Sequence, residues 1–573
     1  MIYRGNAVSR GIVTGKVFVF RKKQTVLDRR NVAQSAVEEE FLRLDSAVIR
    51  AGDEIVMIMS LLEKENAREA KIFQAHADIL RDVEMLKMIR SRIREKCITA
   101  EWAVEQVYDE FITMFTASGN ELTEARAADM KDVRQRLISV LQGQAMTSLS
   151  TLPQPLVIAA HDLLPSDTAT MDKKKVLAIV TEIGGETSHT AILSKSFDIP
   201  AILGIAGIAD ILEDGEEVIV DAVEGCLITA PTEAQRRHYS QEERKFREKK
   251  AFEQRFLGVD AITADGVQIK IEANIGSCDE AELKAAPYVD GVGLLRTEFL
   301  FMQKDRLPGE NDQFKAYSNI LGAYKGKPVI VRTMDIGGDK QLPGLVRPEE
   351  LNPFLGCRAL RLCLAEPELF KIQLRAAFRA SVFGELWVMF PMVGCMEDIR
   401  KAKAVVVEVR EDLAREGISV ADNIKIGIMI EIPAIAFIAD QAVKEVDFAS
   451  IGTNDLCQYL MAADRMNPQV AGYYQSYHPA MLRLIRSMAD VFRKHNKPLA
   501  VCGEMASDPV QASLLLGLGI NSLSVNITRI AAIKSLICSV RMDELKHIAD
   551  HCCGLSSAVE VQDYCREHLC IKV

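Results

Sequence analysis

The sequence predicts a multidomain α/β protein, in which an α/β domain interrupted by an inserted helical bundle precedes a (β/α)8 TIM-type barrel. Three observations predict it. At 573 residues the chain exceeds one hydrophobic core and calls for roughly two to four domains. From about 33 to 143 the apolar residues keep a helical period with few prolines. After Ala261, eight short apolar runs recur with helical segments between most of them, the pattern of a parallel sheet closed on itself.

Gly11–Phe20 (GIVTGKVFVF) alternates and reads as a strand. Leu44, Val48, Ala51, Ile55, Ile58 and Leu62 then recur at spacings of three and four, one stripe of an amphipathic helix. Strand-like runs return at Leu156–Ala159, Val176–Val180 and Glu217–Asp221. The first strand is expected to join them, so that residues 1–22 and 144–230 make one α/β domain and 23–143 are inserted into it. Thr232–Phe256 is dense in Glu, Arg, Lys and Gln and predicts one solvated connecting helix, within a linker spanning 231–260. The barrel occupies 261–573, with strands expected at Gln268–Ala273, Gly291–Arg296, Pro328–Asp335, Leu386–Val393, Lys425–Pro433, Asp447–Asp455, Pro498–Glu504 and Ser522–Ile527.

A net charge of −10 argues against a nucleic-acid partner, since phosphate backbones need basic patches. No run of 18 apolar residues occurs and the N-terminus lacks a long apolar stretch, so no stable membrane association is expected. The 13 cysteines include no C-x-x-C pair, and a reduced, cytoplasmic setting is the simplest reading. Cys552, Cys553, Cys565 and Cys570 cluster near the C-terminus, where a frayed end would expose thiols.

Chemistry concentrates in two places. In Gly184–Leu193 (GGETSHTAIL), glycines permit a sharp turn and Thr187 and Ser188 offer hydroxyls to a helix start. His189 is thus held where free N–H groups favour an anion, and histidine can form covalent intermediates. It reads as a phosphoryl carrier, against the plainer reading of a packing residue in a capping loop. The second place is the rim where barrel strands end: Arg296, Arg332, Glu431, Asn454, Asp455, Arg465 and Cys502. Such residues also make structural ion pairs. Together, two acids on neighbouring strands suit one Mg²⁺, and the arginines suit a phosphate and a carboxylate.

These stretches carry a family resemblance. GGETSHTAIL resembles the phosphohistidine signature of phosphoenolpyruvate-utilising enzymes. GLLRTEFLFM, VRTMDIGGDK, NPFLGCRALRLCL, FPMV, IEIPA, SIGTNDLCQY and CGEMA resemble the barrel of that family's enzyme I branch, which serves bacterial sugar phosphotransferase systems. The resemblance covers nearly the whole chain. It implies transfer of the phosphoryl group of phosphoenolpyruvate to His189 and on to a histidine of the carrier protein HPr, with release of pyruvate. It further implies that Arg296, Arg332, Lys340, Arg358, Asn454, Asp455 and Arg465 bind substrate. On the same resemblance, Glu431 and Asp455 are expected to hold Mg²⁺ and Cys502 to protonate the enolate. The resemblance likewise implies that Asp162 and Thr168 surround the phosphohistidine, with Arg126 on the helical insertion, where the carrier is expected to dock. A homodimer through the barrel is also implied.

One departure is Glu186, where the family carries arginine (GGRTSHT). It favours a regulatory paralogue that binds a carrier without turnover, whereas His189, Glu431, Asp455 and Cys502 together oppose that reading. A dikinase- or synthase-like enzyme needs a nucleotide-binding domain, but the chain has no G-x-x-x-x-G-K-[ST] motif. A barrel lyase would leave His189 idle.

Overall fold

The computed structural model describes the chain apart from residues 22–28, 63–66, 118–120, 144–148, 150–151, 164–166, 169–170, 186–187, 279, 303–306, 338–349, 466 and 570–573. It divides into two compact units, 1–249 and 250–573.

The first unit is built on an eight-stranded sheet. Its strands are β1 (Ile2–Arg4), β2 (Asn6–Ser9), β3 (Ile12–Phe20), β4 (Leu156–Ala160), β5 (Val176–Thr181), β6 (Ala201–Leu203), β7 (Glu217–Asp221) and β8 (Cys226–Thr229), in the order β1-β8-β7-β3-β4-β5-β6-β2. The N-terminal strand does join the later ones: β3 pairs parallel with β4 and antiparallel with β7. Parallel neighbours need a long crossover, and here the crossover carries the helical bundle. Alternation assigns each face its own core. Val17, Val157, Ala159, Ala178 and Val180 pack on one side, and Leu156, Ile158, Ala160 and Ile179 on the other.

The bundle contains helices Val37–Leu62, Ala67–Leu80, Val83–Lys96, Ala100–Ala117 and Glu121–Leu141. Of the predicted stripe, Leu44, Ala51 and Ile55 are buried, and Val48 and Ile58 pack against the same core. The side chain of Leu62 lies outside the described residues. Helix Glu233–Gln254 follows the sheet and buries none of its residues, as its charge predicts.

The second unit is a closed barrel of eight parallel strands: β9 (Lys270–Ile275), β10 (Gly291–Leu295), β11 (Pro328–Arg332), β12 (Glu385–Phe390), β13 (Lys425–Ile430), β14 (Phe448–Ile451), β15 (Leu499–Val501) and β16 (Ser522–Asn526). Each pairs in parallel with its neighbours. All eight predicted runs are strands, but several stop short of their predicted ends. The extended reading to Asp455 is corrected in particular: β14 ends at Ile451, and Thr453–Met461 is a helix. The segment Ile451-Gly452-Thr453 is apolar and β-branched around a glycine, so periodicity alone does not separate strand from helix start.

Period-two alternation explains where the rim residues point. Leu294, Ile330, Trp387, Met389, Met429, Phe448 and Cys502 form an interior cluster. Their strand neighbours Val329, Val331, Val388, Ile428 and Ile430 pack outward against the helices. Two residues beyond Leu294, Ile330 and Met429 come Arg296, Arg332 and Glu431, so parity aims all three at the barrel axis.

The C-terminus is tighter than expected. Ser557 and Glu560 form a capping box at the start of helix Ala558–His568. That helix packs Cys565 against Cys552, with both thiols buried and their sulfurs 3.8 Å apart. Cys553 is also buried, so the expected exposure does not hold for these three. Cys570 lies outside the described residues.

Candidate active site

At the C-terminal mouth of the barrel a chain of largely enclosed ion pairs runs from the segment after β10 to the helix after β14, ending on the exposed Arg465. Arg332 donates to Glu298 at 2.9 Å and pairs with Asp335 at 2.8 Å. Asp335 also takes a contact from Arg358 at 2.8 Å, and Arg358 reaches Asp455 at 3.4 Å. Arg465 pairs with the other oxygen of Asp455 at 3.6 Å. Burial opposes the charge on Arg332, yet Glu298, Asp335 and Glu431 outweigh it and hold the guanidinium firmly protonated. The same balance, with Asp335 and Asp455, applies to Arg358.

Arg296 differs. It is exposed, and its side chain has no hydrogen bond or ion pair among the described residues. A cation at the mouth of a barrel with no internal partner is free to bind an anion.

Glu431 is buried, and its Oε1 accepts the Met392 N–H at 2.6 Å. Met392 holds a positive φ of 56°, a conformation costly for a non-glycine residue. Gly452 gives the carboxylate its space: a Cβ there would sit 2.8 Å from Glu431 Oε2. Burial first, then the charges of Asp455 and Asp335, push the Glu431 carboxyl up to about 8. Asp455 is likewise buried, and its Oδ1 lacks a hydrogen-bond partner. Two mutually repelling carboxylates, one with an unsatisfied buried oxygen, fit a hard divalent cation that takes its remaining ligands from substrate and water.

Cys502 follows β15 and is 3% exposed, with its thiol 3.7 Å from the Ile451 carbonyl. Burial raises the thiol to about 11, against the opposing effects of the Ser450 hydroxyl and of Arg332 and Arg296. At pH 8 such a group is thiolate to about one part in 10³. Iodoacetamide at pH 8 should therefore alkylate Cys502 at least about 100-fold more slowly than the half-buried Cys97. The Cys502 rate should then climb about tenfold per pH unit up to pH 10. Equal rates by peptide mass spectrometry at pH 8 would contradict a protonated, enclosed thiol.

Asn454 and Asp455 lie in the first turn of helix Thr453–Met461, and Asn454 Oδ1 accepts the Glu504 N–H at 3.0 Å. That bond ties the helix after β14 to the segment after Cys502. Lys340 lies outside the described residues. Glu298 and Asp335, to which the sequence pattern assigns no role, prove to be the counter-charges of Arg332. Their spacing from Arg296 and Arg332 was the available signal.

In the first unit His189 opens helix His189–Ser196, and the Ser188 hydroxyl caps it by accepting the Ala191 N–H at 3.3 Å. Gly184 takes a φ of +120° in the turn after β5. Thr190 Oγ1 reaches the Leu163 carbonyl at 3.4 Å, which joins this helix to the segment holding Asp162 and the buried Thr168. Arg126 is exposed on helix Glu121–Leu141. Glu186, Thr187 and the side chain of His189 lie outside the described residues.

Comparisons with known proteins identify the family. Residues 4–126, 152–225 and 250–542 match the models described as PEP-utilising enzyme, N-terminal, mobile domain and PEP-binding domain. A Geobacillus stearothermophilus protein named phosphoenolpyruvate-protein phosphotransferase is 42% identical over 561 residues, covering 98% of this chain and 97% of its own. Proteins of the same name from Staphylococcus carnosus and Bacillus subtilis are 41% and 40% identical, covering 99% and 98% of this chain and 98% and 99% of their own. With matches of this extent across both units, the chain belongs to the phosphoenolpyruvate-utilising enzyme family, among its phosphoenolpyruvate-protein phosphotransferases.

Proposed function

We infer that the protein is a phosphotransferase that moves the phosphoryl group of phosphoenolpyruvate to His189 and then to a histidine of the carrier HPr, releasing pyruvate. This would be the first step of a sugar phosphotransferase system. The observation that carries the reading is the pairing of a helix-start histidine in one unit with an arginine-rich, two-carboxylate mouth in the other.

Arg296, Arg332, Arg358 and Arg465 offer four guanidinium groups for the phosphate and carboxylate of the substrate, with Asn454 beside them, and Lys340 is assigned to the same role by the family resemblance alone. Glu431 and Asp455 would hold Mg²⁺, which supplies Lewis-acid stabilisation of negative charge when bound. A ring nitrogen of His189 attacks phosphorus as the bond to the enol oxygen breaks, leaving enolpyruvate. Burial keeps Cys502 protonated at neutral pH, so its thiol can deliver the proton that turns the enolate into pyruvate. Solvent then returns the proton to sulfur.

Asp162, Thr168 and Arg126 belong to the surroundings of the phosphohistidine in this reading, and HPr docks on the helical insertion. His189 must visit the barrel and then the carrier. A homodimer through the barrel and a cytoplasmic setting complete the proposal. No helix among the described residues is long and apolar enough to cross a membrane.

The test is incubation with Mg²⁺ and phosphoenolpyruvate labelled in its phosphate. Acid-labile, base-stable label on the protein with stoichiometric pyruvate is expected, and HPr should discharge it. Absence of label on folded protein would refute the reading. Label that HPr cannot remove would mean that the acceptor differs.

A further inference from the structure

Helix Pro367–Ala380 buries Phe370, Leu374, Ala377 and Phe378 in the barrel's outer core. Gln373 lies on that apolar side and is 2% exposed, although a glutamine is rarely placed there without partners. Its amide is fully engaged. Gln373 Oε1 accepts the Met334 N–H at 2.8 Å, and Nε2 donates to Thr297 Oγ1 and to the Tyr317 hydroxyl, each at 3.2 Å. Thr297 Oγ1 donates in turn to the Arg332 carbonyl at 3.0 Å. Tyr317 donates to Gln313 at 3.1 Å, which is anchored to the Pro308 carbonyl at 3.1 Å.

The two loop partners decide what this network does. Thr297 stands between Arg296 and Glu298, and Met334 lies two residues after Arg332 and directly before Asp335. One amide therefore joins the segment after β10 to the segment after β11. Arg332 has further anchors in Glu298 and Asp335, whereas the Arg296 side chain has none among the described residues. Its place depends on its backbone, whose N–H donates to the Ile275 carbonyl at 2.9 Å on the β9 side, while Thr297 supplies the side-chain tie to the β11 side. A satisfied buried network gives one geometry, and sub-ångström placement of a clamp matters because a shift of about 1 Å can cost about 100-fold in rate.

We propose that Gln373 is a positioning residue that sets, through Thr297 and Met334, the separation of Arg296 and Arg332. The inference rests on the reading of these arginines as the clamp for phosphoenolpyruvate. Removing the amide leaves the Met334 N–H unpaired and loosens Thr297, so substrate binding should suffer before chemistry does.

The experiment measures KM, kcat and melting temperature on the full chain with Mg²⁺, phosphoenolpyruvate and HPr. Gln373→Leu should raise KM for phosphoenolpyruvate at least about tenfold while kcat changes less than about threefold. Thr297→Val should raise KM in the same direction, and Thr297→Ser should restore it. Tyr317→Phe is the control for structure alone: it removes bonds from the same network but touches neither loop, and should lower the melting temperature with KM within about twofold of wild type. A wild-type KM in Gln373→Leu, or an equal KM rise in Tyr317→Phe, would overturn the proposal. If Gln373→Leu does not fold, the Thr297 pair decides, and a wild-type KM in Thr297→Val overturns it. Arg296→Met, assayed alongside, tests the underlying reading. An unchanged KM there would remove the clamp itself, whatever Gln373 does.

Discussion

His189→Ala is expected to abolish phosphoryl transfer, by more than about 10⁴-fold, while phosphoenolpyruvate still binds with wild-type affinity. The expectation follows from how the two units are built. Residues 1–249 and 250–573 form separate compact bodies, each with its own apolar cores. All the carboxylates and guanidinium groups of the barrel mouth are contributed by the second. The substitution also leaves its own helix intact. Ser188 supplies the cap, and Ala191 and Leu193 supply the buried side, so alanine at the first helical position costs little. Labelled phosphoenolpyruvate and calorimetric titration on the same preparation separate the two readouts. Acid-labile label surviving on His189→Ala would place the nucleophile elsewhere. Loss of binding would mean that the barrel mouth does not hold substrate unaided.

The second large effect contrasts two arginines that the sequence treats alike. Arg332→Met and Arg296→Met should each reduce kcat/KM by about 10²- to 10³-fold, since each removes charge-assisted hydrogen bonds to substrate. Stability should separate them. Arg332 is 12% exposed and sits between two carboxylates that are 12% and 5% exposed. Removing it leaves Glu298 without its cation and Asp335 with Arg358 as its remaining cation among the described residues, a loss of about 3 kcal/mol. Arg296 is exposed and has no partner among the described residues, so Arg296→Met should stay within about 0.5 kcal/mol of wild type. Denaturant titration of both variants reads this directly. Equal stabilities would show that the Glu298–Arg332–Asp335 chain does not hold the mouth together.

Much of the fold was legible because its signals are local. Strands buried on both faces read as apolar runs, and all eight of the barrel appear where those runs do. The short strands Ile2–Arg4, Asn6–Ser9, Ala201–Leu203 and Cys226–Thr229 went unread, since three or four residues do not establish a period. The end of β14 was overread for the reverse reason, as its apolar run passes through Gly452 into the first turn of a helix.

The site divides along a similar line. Parity carried Arg296, Arg332 and Glu431 to one rim, and the residues after a strand inherit its alternation, so their convergence was written in the chain. Which of them are buried, and against what, was not. Arg332 meets Glu298 and Asp335, Asp455 meets Arg358 from about a hundred positions away, and Gln373 reaches two loops from a separate helix. Periodicity is a property of neighbours along the chain. Desolvation and ion-pair geometry are properties of neighbours in space, and closure of the barrel is what brings these residues within a few ångströms of one another.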